Sequence, residues 1–165
     1  MSVSPAQLVQ LTCPNCRSPV RAQVVTFVDV GQYPQLKGPL LAGQLNIAVC
    51  QSCGTPVMIS APLIYHDPAK QLFFTFFPQQ LSASPEEQER FVGEATSLIM
   101  RALPQEAPRG YLFAPKRFLT LNSLVEAILE ADGISKEEIE AQRNRVELIS
   151  RLAEAFESGD EALTA

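Results

Sequence analysis

The cysteines constrain this chain more than any other feature. They fall in two pairs of identical spacing, Cys13-Pro14-Asn15-Cys16 and Cys50-Gln51-Ser52-Cys53, and the 165 residues contain no others. Two cysteines with a two-residue gap can turn back on a single ion. Each pair then supplies half of the tetrahedral shell that zinc takes, with Zn–S bonds of about 2.3 Å. Pro14 suits the inside of such a turn because its ring holds φ near −65°. Gly54 follows the second pair directly, where a turn often needs positive φ. The 33 residues between the pairs leave room for a few strands or a folded insert. The pattern predicts one Zn²⁺ held by Cys13, Cys16, Cys50 and Cys53, in the layout of a zinc ribbon.

Three other chemistries use cysteines. Disulfides need an oxidising compartment, and residues 1–7 have neither the basic start nor the apolar run of a signal peptide. A thioredoxin-type dithiol normally carries one C-x-x-C beside a βαβ pattern, whereas two copies stand here in strand-like surroundings. An iron–sulfur cluster also accepts four thiolates. Zinc leads, and the other three stay open at this level. Catalytic zinc commonly has three protein ligands and an open position for water. Four cysteines fill the tetrahedron, so a structural metal is expected and an enzyme is not.

Charge is unevenly distributed. Residues 1–80 hold four basic and two acidic side chains, and residues 81–165 hold nine basic and sixteen acidic. Non-specific nucleic-acid binding needs a basic face, which neither half supplies from composition. No apolar run approaches the ~18 residues of a membrane span. With no targeting segment in view, the cytoplasm is the expected location.

Along the chain, residues 1–12 read as extended and residues 20–28 as a β-branched strand. Glycines and prolines mark residues 31–44 as a loop. Short strands are expected at residues 45–49, 57–60 and 63–65. The Asp67-Pro68 turn then leads into Leu72-Phe73-Phe74-Thr75-Phe76-Phe77, apolar on both faces. A strand facing water on one side should alternate, so this one is expected to be covered on both, by helices or by a second copy of the chain. Ser84-Pro85-Glu86-Glu87 has the form of a capping box with proline at the first helical position. Phe91, Val92, Ala95, Leu98, Ile99, Ala102 and Leu103 recur at helical spacing behind it as one apolar stripe, until Pro104. Residues 104–119 read as a connecting loop. A second helix is expected over residues 121–131 with Gly133 as its C-cap. A third begins at Ser135, with Ile139, Val146, Ile149, Leu152, Ala153 and Phe156 as its stripe. Residues 158–165 should fray.

The C-P-x-C knuckle, the C-x-x-C-G knuckle downstream and the Leu36-Lys37-Gly38-Pro39-Leu40-Leu41-Ala42-Gly43 stretch between them together resemble the CpXC domain family. The similarity spans roughly residues 10–130. Cys50-Gln51-Ser52-Cys53 lacks the name-giving proline. The resemblance implies a metal-type fold and a bacterial or archaeal origin, and no particular activity.

Other residues have plainer readings. His66 is the lone histidine. It is a candidate base or extra ligand, but it stands beside a turn, where a surface or hairpin role is expected. Asp29 and Asp67 are expected in solvated or turn-forming roles. Tyr111, Phe113, Lys116, Arg117 and Phe118 interleave aromatics with bases, as single-strand nucleic-acid binders do. A loop packing its aromatics inward explains them more simply.

The sequence therefore predicts an α+β protein. An antiparallel sheet bearing a four-cysteine zinc ribbon fills a domain at residues 1–118, and a helical extension follows at 119–165, giving three C-terminal helices in all. The expected function is a zinc-stabilised module that binds a protein partner. Homodimerisation through the C-terminal helices is possible on the stripe of the last one. A transcription-associated or nucleic-acid-binding zinc ribbon and a C-x-x-C thiol redox protein are the alternatives.

Overall fold

The computed structural model describes residues 2–158, with side chains to residue 154. Two compact units divide the chain, Met1–Val125 and Glu126–Ala165.

The first unit begins with a hairpin. Strand β1 (Gln7–Thr12) pairs antiparallel with β2 (Pro19–Val24), from Gln7 opposite Val24 to Thr12 opposite Pro19. β2 alternates strictly, with Val20, Ala22 and Val24 buried and Pro19, Arg21 and Gln23 exposed. The single strand expected over residues 20–28 is in fact two. Val24, Val25, Thr26 and Phe27 are all buried in succession, which no half-exposed strand allows, and the chain crosses there from one sheet to another. The backbone groups freed at the crossing find partners, as buried ones must. Val25 N–H donates to Asn46 Oδ1 (2.7 Å), and Asn46 Nδ2 donates to the Val25 carbonyl (2.9 Å). Ser4 closes the other side: its N–H donates to Thr26 Oγ1 (2.8 Å), and its carbonyl accepts from the N–H groups of Thr26 and Phe27.

After β3 (Phe27–Asp29), the expected loop contains a 3-10 turn (Pro34–Leu36) and a five-residue helix, α1 (Lys37–Leu41). Proline is compatible with a helix of one turn, because first-turn N–H groups have no intrahelical acceptor to lose. The apolar payload of this segment is Leu40, fully buried. A second antiparallel hairpin follows, β4 (Ile47–Val49) with β5 (Pro56–Met58).

The central sheet has the order β3-β6-β7-β8. β6 (Leu63–Asp67) and β7 (Leu72–Phe76) form an antiparallel hairpin around the Asp67-Pro68 turn, where Asp67 Oδ1 accepts from the N–H of Ala69 (3.1 Å). Its edges are parallel: β3 against β6, and β8 (Lys116–Phe118) against β7. β8 and a 3-10 turn at Gly110–Phe113 lie in the segment expected to be loop. Three residues are too few to display a strand's alternation.

Both faces of β7 are covered, as its composition requires. On one, α2 (Pro85–Ala102) lays Phe91, Ala95 and Ile99 against Phe27, Ile64, Phe73 and Leu112. On the other, Phe74, Tyr65 and Phe118 are buried side by side across three neighbouring strands, with Phe74 edge-on to Phe118 at 5.0 Å between ring centres and 6.0 Å from Tyr65. Phe73 and Phe74 are buried within one chain, so this strand needs no second copy. The capping box of α2 is complete: Ser84 Oγ accepts from Glu87 N–H (3.2 Å), and Glu87 Oε2 accepts from Ser84 N–H (2.7 Å).

Helix α3 runs over Leu121–Ala131 and crosses into the second unit. Gly133, at φ +92°, ends it. Helix α4 (Lys136–Ser158) opens on a second capping box between Ser135 and Glu138. On α4, Val146, Leu148, Ile149 and Leu152 are exposed. The fraying expected of residues 158–165 falls, from residue 159 on, outside the described residues, as does the side chain of Phe156. The protein is thus α+β, with antiparallel hairpins, a mixed central sheet and helices at the C-terminus. No helix among the described residues is long and apolar enough to cross a membrane.

Candidate metal centre

The two hairpins present their cysteines in the same way. In the first, Cys13 N–H donates to the Ser18 carbonyl (2.9 Å) and the Cys13 carbonyl accepts from Arg17 N–H (2.9 Å). In the second, Cys50 N–H donates to the Thr55 carbonyl (2.9 Å) and the Cys50 carbonyl accepts from Gly54 N–H (2.8 Å). The fifth residue of each knuckle is left-handed, Arg17 at φ 61° and Gly54 at φ 73°. The positive φ expected of Gly54 is present. Arg17 holds the same conformation with a side chain, at a local cost of about 1 kcal/mol.

Side-chain packing brings the hairpins together. Val20 and Ala22 of β2 meet Ala48 and Val57 of the second hairpin, with Val9 and Leu11 beside them. Cys13 and Cys50 are buried in this contact, while Cys16 and Cys53 are exposed. All four sulfurs lie within 4.8 Å of one another. Cys13 Sγ is 3.7 Å from Cys53 Sγ, and Cys16 Sγ is 3.5 Å from Cys50 Sγ. Bonds of about 2.3 Å to a central ion put the edge of a tetrahedron near ~3.8 Å. A disulfide would need about 2.05 Å. The four residues expected to form one site come together, and their geometry is that of a metal centre.

The local electrostatics favour thiolates on the outer side. Thr55 Oγ1 lies 3.2 Å from Cys53 Sγ and is itself held by Asn15 Nδ2 (3.2 Å). The Thr55 hydroxyl and N–H, then Asn15, lower the pKa of Cys53 to about 6. The Ser18 hydroxyl and N–H lower that of Cys16. At Cys13 the Cys16 N–H pulls downward, but burial and the neighbouring sulfurs outweigh it and the pKa rises. A metal cation would offset that cost directly.

A second polar constellation joins residues that lie far apart in the sequence. His66 is fully buried, not at the surface, because its strand β6 is covered on both faces. Its Nδ1 lies 2.9 Å from Asp29 Oδ2 and its Nε2 lies 2.7 Å from the Tyr111 hydroxyl. Asp29 is equally buried and also accepts from the N–H groups of Gly31 and Gln32 and from Gln32 Nε2. It combines the expected turn role with a buried contact that was not expected. Burial pushes its carboxyl up, but the His66 hydrogen bond and charge and the Gln32 contacts outweigh this, and its pKa falls. Burial, then Asp29 and Asp67, push the Tyr111 phenol up. Both imidazole nitrogens are occupied, so the group ties β3, β6 and the 3-10 turn at Gly110–Phe113 together. Only burial was readable locally, from the apolar run around His66.

The aromatic–basic segment divides in two. Phe118 is buried and Phe113 is exposed. Lys116 stands over the rings of Phe118 and Phe74, and Arg117 over Phe77. These cations are engaged with the protein's own aromatics.

Among known proteins, no curated sequence and no solved structure matches this chain. The model of the CpXC protein family matches residues 11–143, from just before the first knuckle to the first turns of α4. With both knuckles and the whole central sheet inside that span, the chain belongs to the CpXC family.

Proposed function

We propose that this CpXC protein is a non-enzymatic interaction module, in which zinc on Cys13, Cys16, Cys50 and Cys53 ties two hairpins into a surface for a protein partner. The closed set of four sulfurs carries the reading. Four thiolates within 4.8 Å complete a tetrahedron among themselves, whereas catalytic zinc keeps a place for water. An all-sulfur tetrahedral set suits zinc or iron–sulfur chemistry and rejects magnesium and calcium. Zinc, when bound, supplies the positive charge that lets four thiolates share one small volume. The chain's own contribution is the two matched turns and the donors Thr55 and Ser18. Reduced thiols of this kind belong in a reducing compartment, consistent with the cytoplasm.

Elemental analysis of the purified protein tests the metal, with one zinc per chain expected; iron, or no metal, defeats the assignment. Affinity capture with metal-loaded and metal-free protein, compared side by side, tests the interaction role. The expected partner is retained by the loaded form alone. Equal retention by both forms would separate the metal from binding. A second copy is a further partner, favoured by the exposed Val146, Leu148, Ile149 and Leu152 on α4, since amphipathic helices bury such faces.

A further inference from the structure

The outer faces of the two knuckle hairpins differ sharply. On β1–β2 the solvent side carries Gln10, Arg21 and Gln23 beside Leu8. On β4–β5 it is wholly apolar: Ile47 opposite Met58, and Val49 opposite Pro56. Met58 is 82 % exposed, Val49 54 % and Ile47 41 %. Charged residues make up 19 % of the chain, yet none occurs between Gly38 and Tyr65. An exposed hairpin without charge is what surfaces ordinarily avoid, because an uncharged edge invites pairing. Beside Met58 opens a cavity of about 220 Å³, lined mostly by apolar side chains such as Leu45, Ile59 and Phe76, with Asn46, Ser60 and Gln80 polar and no charged side chain. Small-molecule pockets begin near ~300 Å³, so this one is sized for a single side chain.

We propose that this hairpin face and cavity receive an uncharged segment of a partner protein, which seats one bulky apolar side chain beside Met58. The proposal deepens the interaction-module reading and rests on it. Charge complementarity selects the occupant. An ionic group placed here would lose its water and find no counter-charge. A membrane surface is disfavoured, since interfacial binding recruits Lys and Arg and the segment has none. Area argues against a second copy. The four side chains offer on the order of 400 Å², about half of the ~800 Å² each partner contributes to a stable interface. A segment that also enters the cavity gains contact a flat twofold contact lacks. Methionine at the mouth suits this, because its flexible thioether adapts to varied apolar partners.

Selection of short random peptides displayed on phage, against metal-loaded full-length protein, tests the proposal. Enriched peptides should share an uncharged stretch centred on Leu, Ile, Met or Phe. A synthetic version should lose about tenfold or more in affinity for Met58→Glu and for Ile47→Glu. It should bind Leu8→Glu, on the outer face of the first hairpin, as it binds the unaltered protein. Metal content and circular dichroism of each variant confirm folding, which the exposure of both side chains favours. Peptides that are charged through the bound stretch, or that hold Met58→Glu equally well, overturn this surface while leaving the module reading intact elsewhere. A selection that enriches nothing also overturns it, and the paired captures with loaded and metal-free protein then decide the broader reading independently. A concentration-dependent dimer lost in Met58→Glu would give the face to a second copy and overturn the proposed occupant.

Discussion

Replacing Asp29 by asparagine changes one atom in the buried chain Asp29–His66–Tyr111, and its effect can be worked through atom by atom. The amide oxygen of the new side chain could still accept from the N–H groups of Gly31 and Gln32. The atom facing His66 Nδ1 at 2.9 Å becomes an NH₂ donor instead of a carboxylate oxygen, and it no longer accepts from Gln32 Nε2 (3.1 Å) either. If the proton stays on Nδ1, two donors face each other. If it moves to Nε2, that nitrogen donates to the Tyr111 oxygen, 2.7 Å away, and the phenolic hydrogen loses its acceptor. A hydrogen bond to a charged group contributes about 1.5–3 kcal/mol, and a buried polar group left unsatisfied costs about 1–3 kcal/mol. With partial relaxation, Asp29→Asn should destabilise the Met1–Val125 unit by about 2–4 kcal/mol at neutral pH. That corresponds to a fall in Tm of roughly 5–15 °C for a protein of this size. The pH dependence supplies a second check. The folded pKa of Asp29 is below its usual value, so its ionisation stabilises the fold above the unfolded carboxyl pKa of ~3.9. The contribution is lost as pH falls through the folded value. The gap between the two proteins should hold from pH 7 to about 5 and shrink below ~4. Urea denaturation followed by tyrosine fluorescence measures it, and taking the difference between the proteins cancels metal release common to both. A variant within about 0.5 kcal/mol of the unaltered protein at pH 7, or a gap indifferent to acid, would refute the assigned role of the buried carboxylate.

Three further outcomes are expected. Cys50→Ser should release the metal and lower the melting temperature of the first unit; structural zinc contributes about 10 kcal/mol or more in small fingers, which the larger core here softens, and an unchanged melting curve would show the site to be dispensable. Thr55→Val removes the hydroxyl that does most to lower the Cys53 pKa, so the pH midpoint of metal release, followed with a chromophoric chelator, should move upward; no movement would mean that hydroxyl is idle. Light scattering coupled to size exclusion should find a dimer that Val146→Glu with Ile149→Glu dissociates, and a strictly monomeric mass at high micromolar concentration would defeat pairing through α4.

What the sequence revealed was what neighbouring residues encode. The cysteine spacing, Gly54, the capping boxes at Ser84 and Ser135 and the bounds of α3 are all set within a turn or two of chain. The remaining features are set by residues distant in the chain. Residues 20–28 looked like one strand because β-branched composition says nothing about which sheet receives each residue; the switch at Val25 depends on Asn46 and Ser4. α1 was hidden because proline and glycine density marks loops and single helical turns alike. β8 exists only because β7 offers it an edge. His66 was misplaced for the same reason: its two partners stand 37 and 45 residues away, and no local pattern announces them.

The division of the four sulfurs into an inner and an outer pair has a kinetic meaning. Cys13 and Cys50 are sealed between the hairpins, and Cys16 and Cys53 meet solvent. A competing ligand can therefore approach a bound ion from one side only and must displace the outer sulfurs first. How fast the metal exchanges is then governed by Cys16, Cys53 and their donors Ser18 and Thr55. The exposed pair thus sets how quickly a chelator can begin to remove a bound ion, and the buried pair is the last to release it.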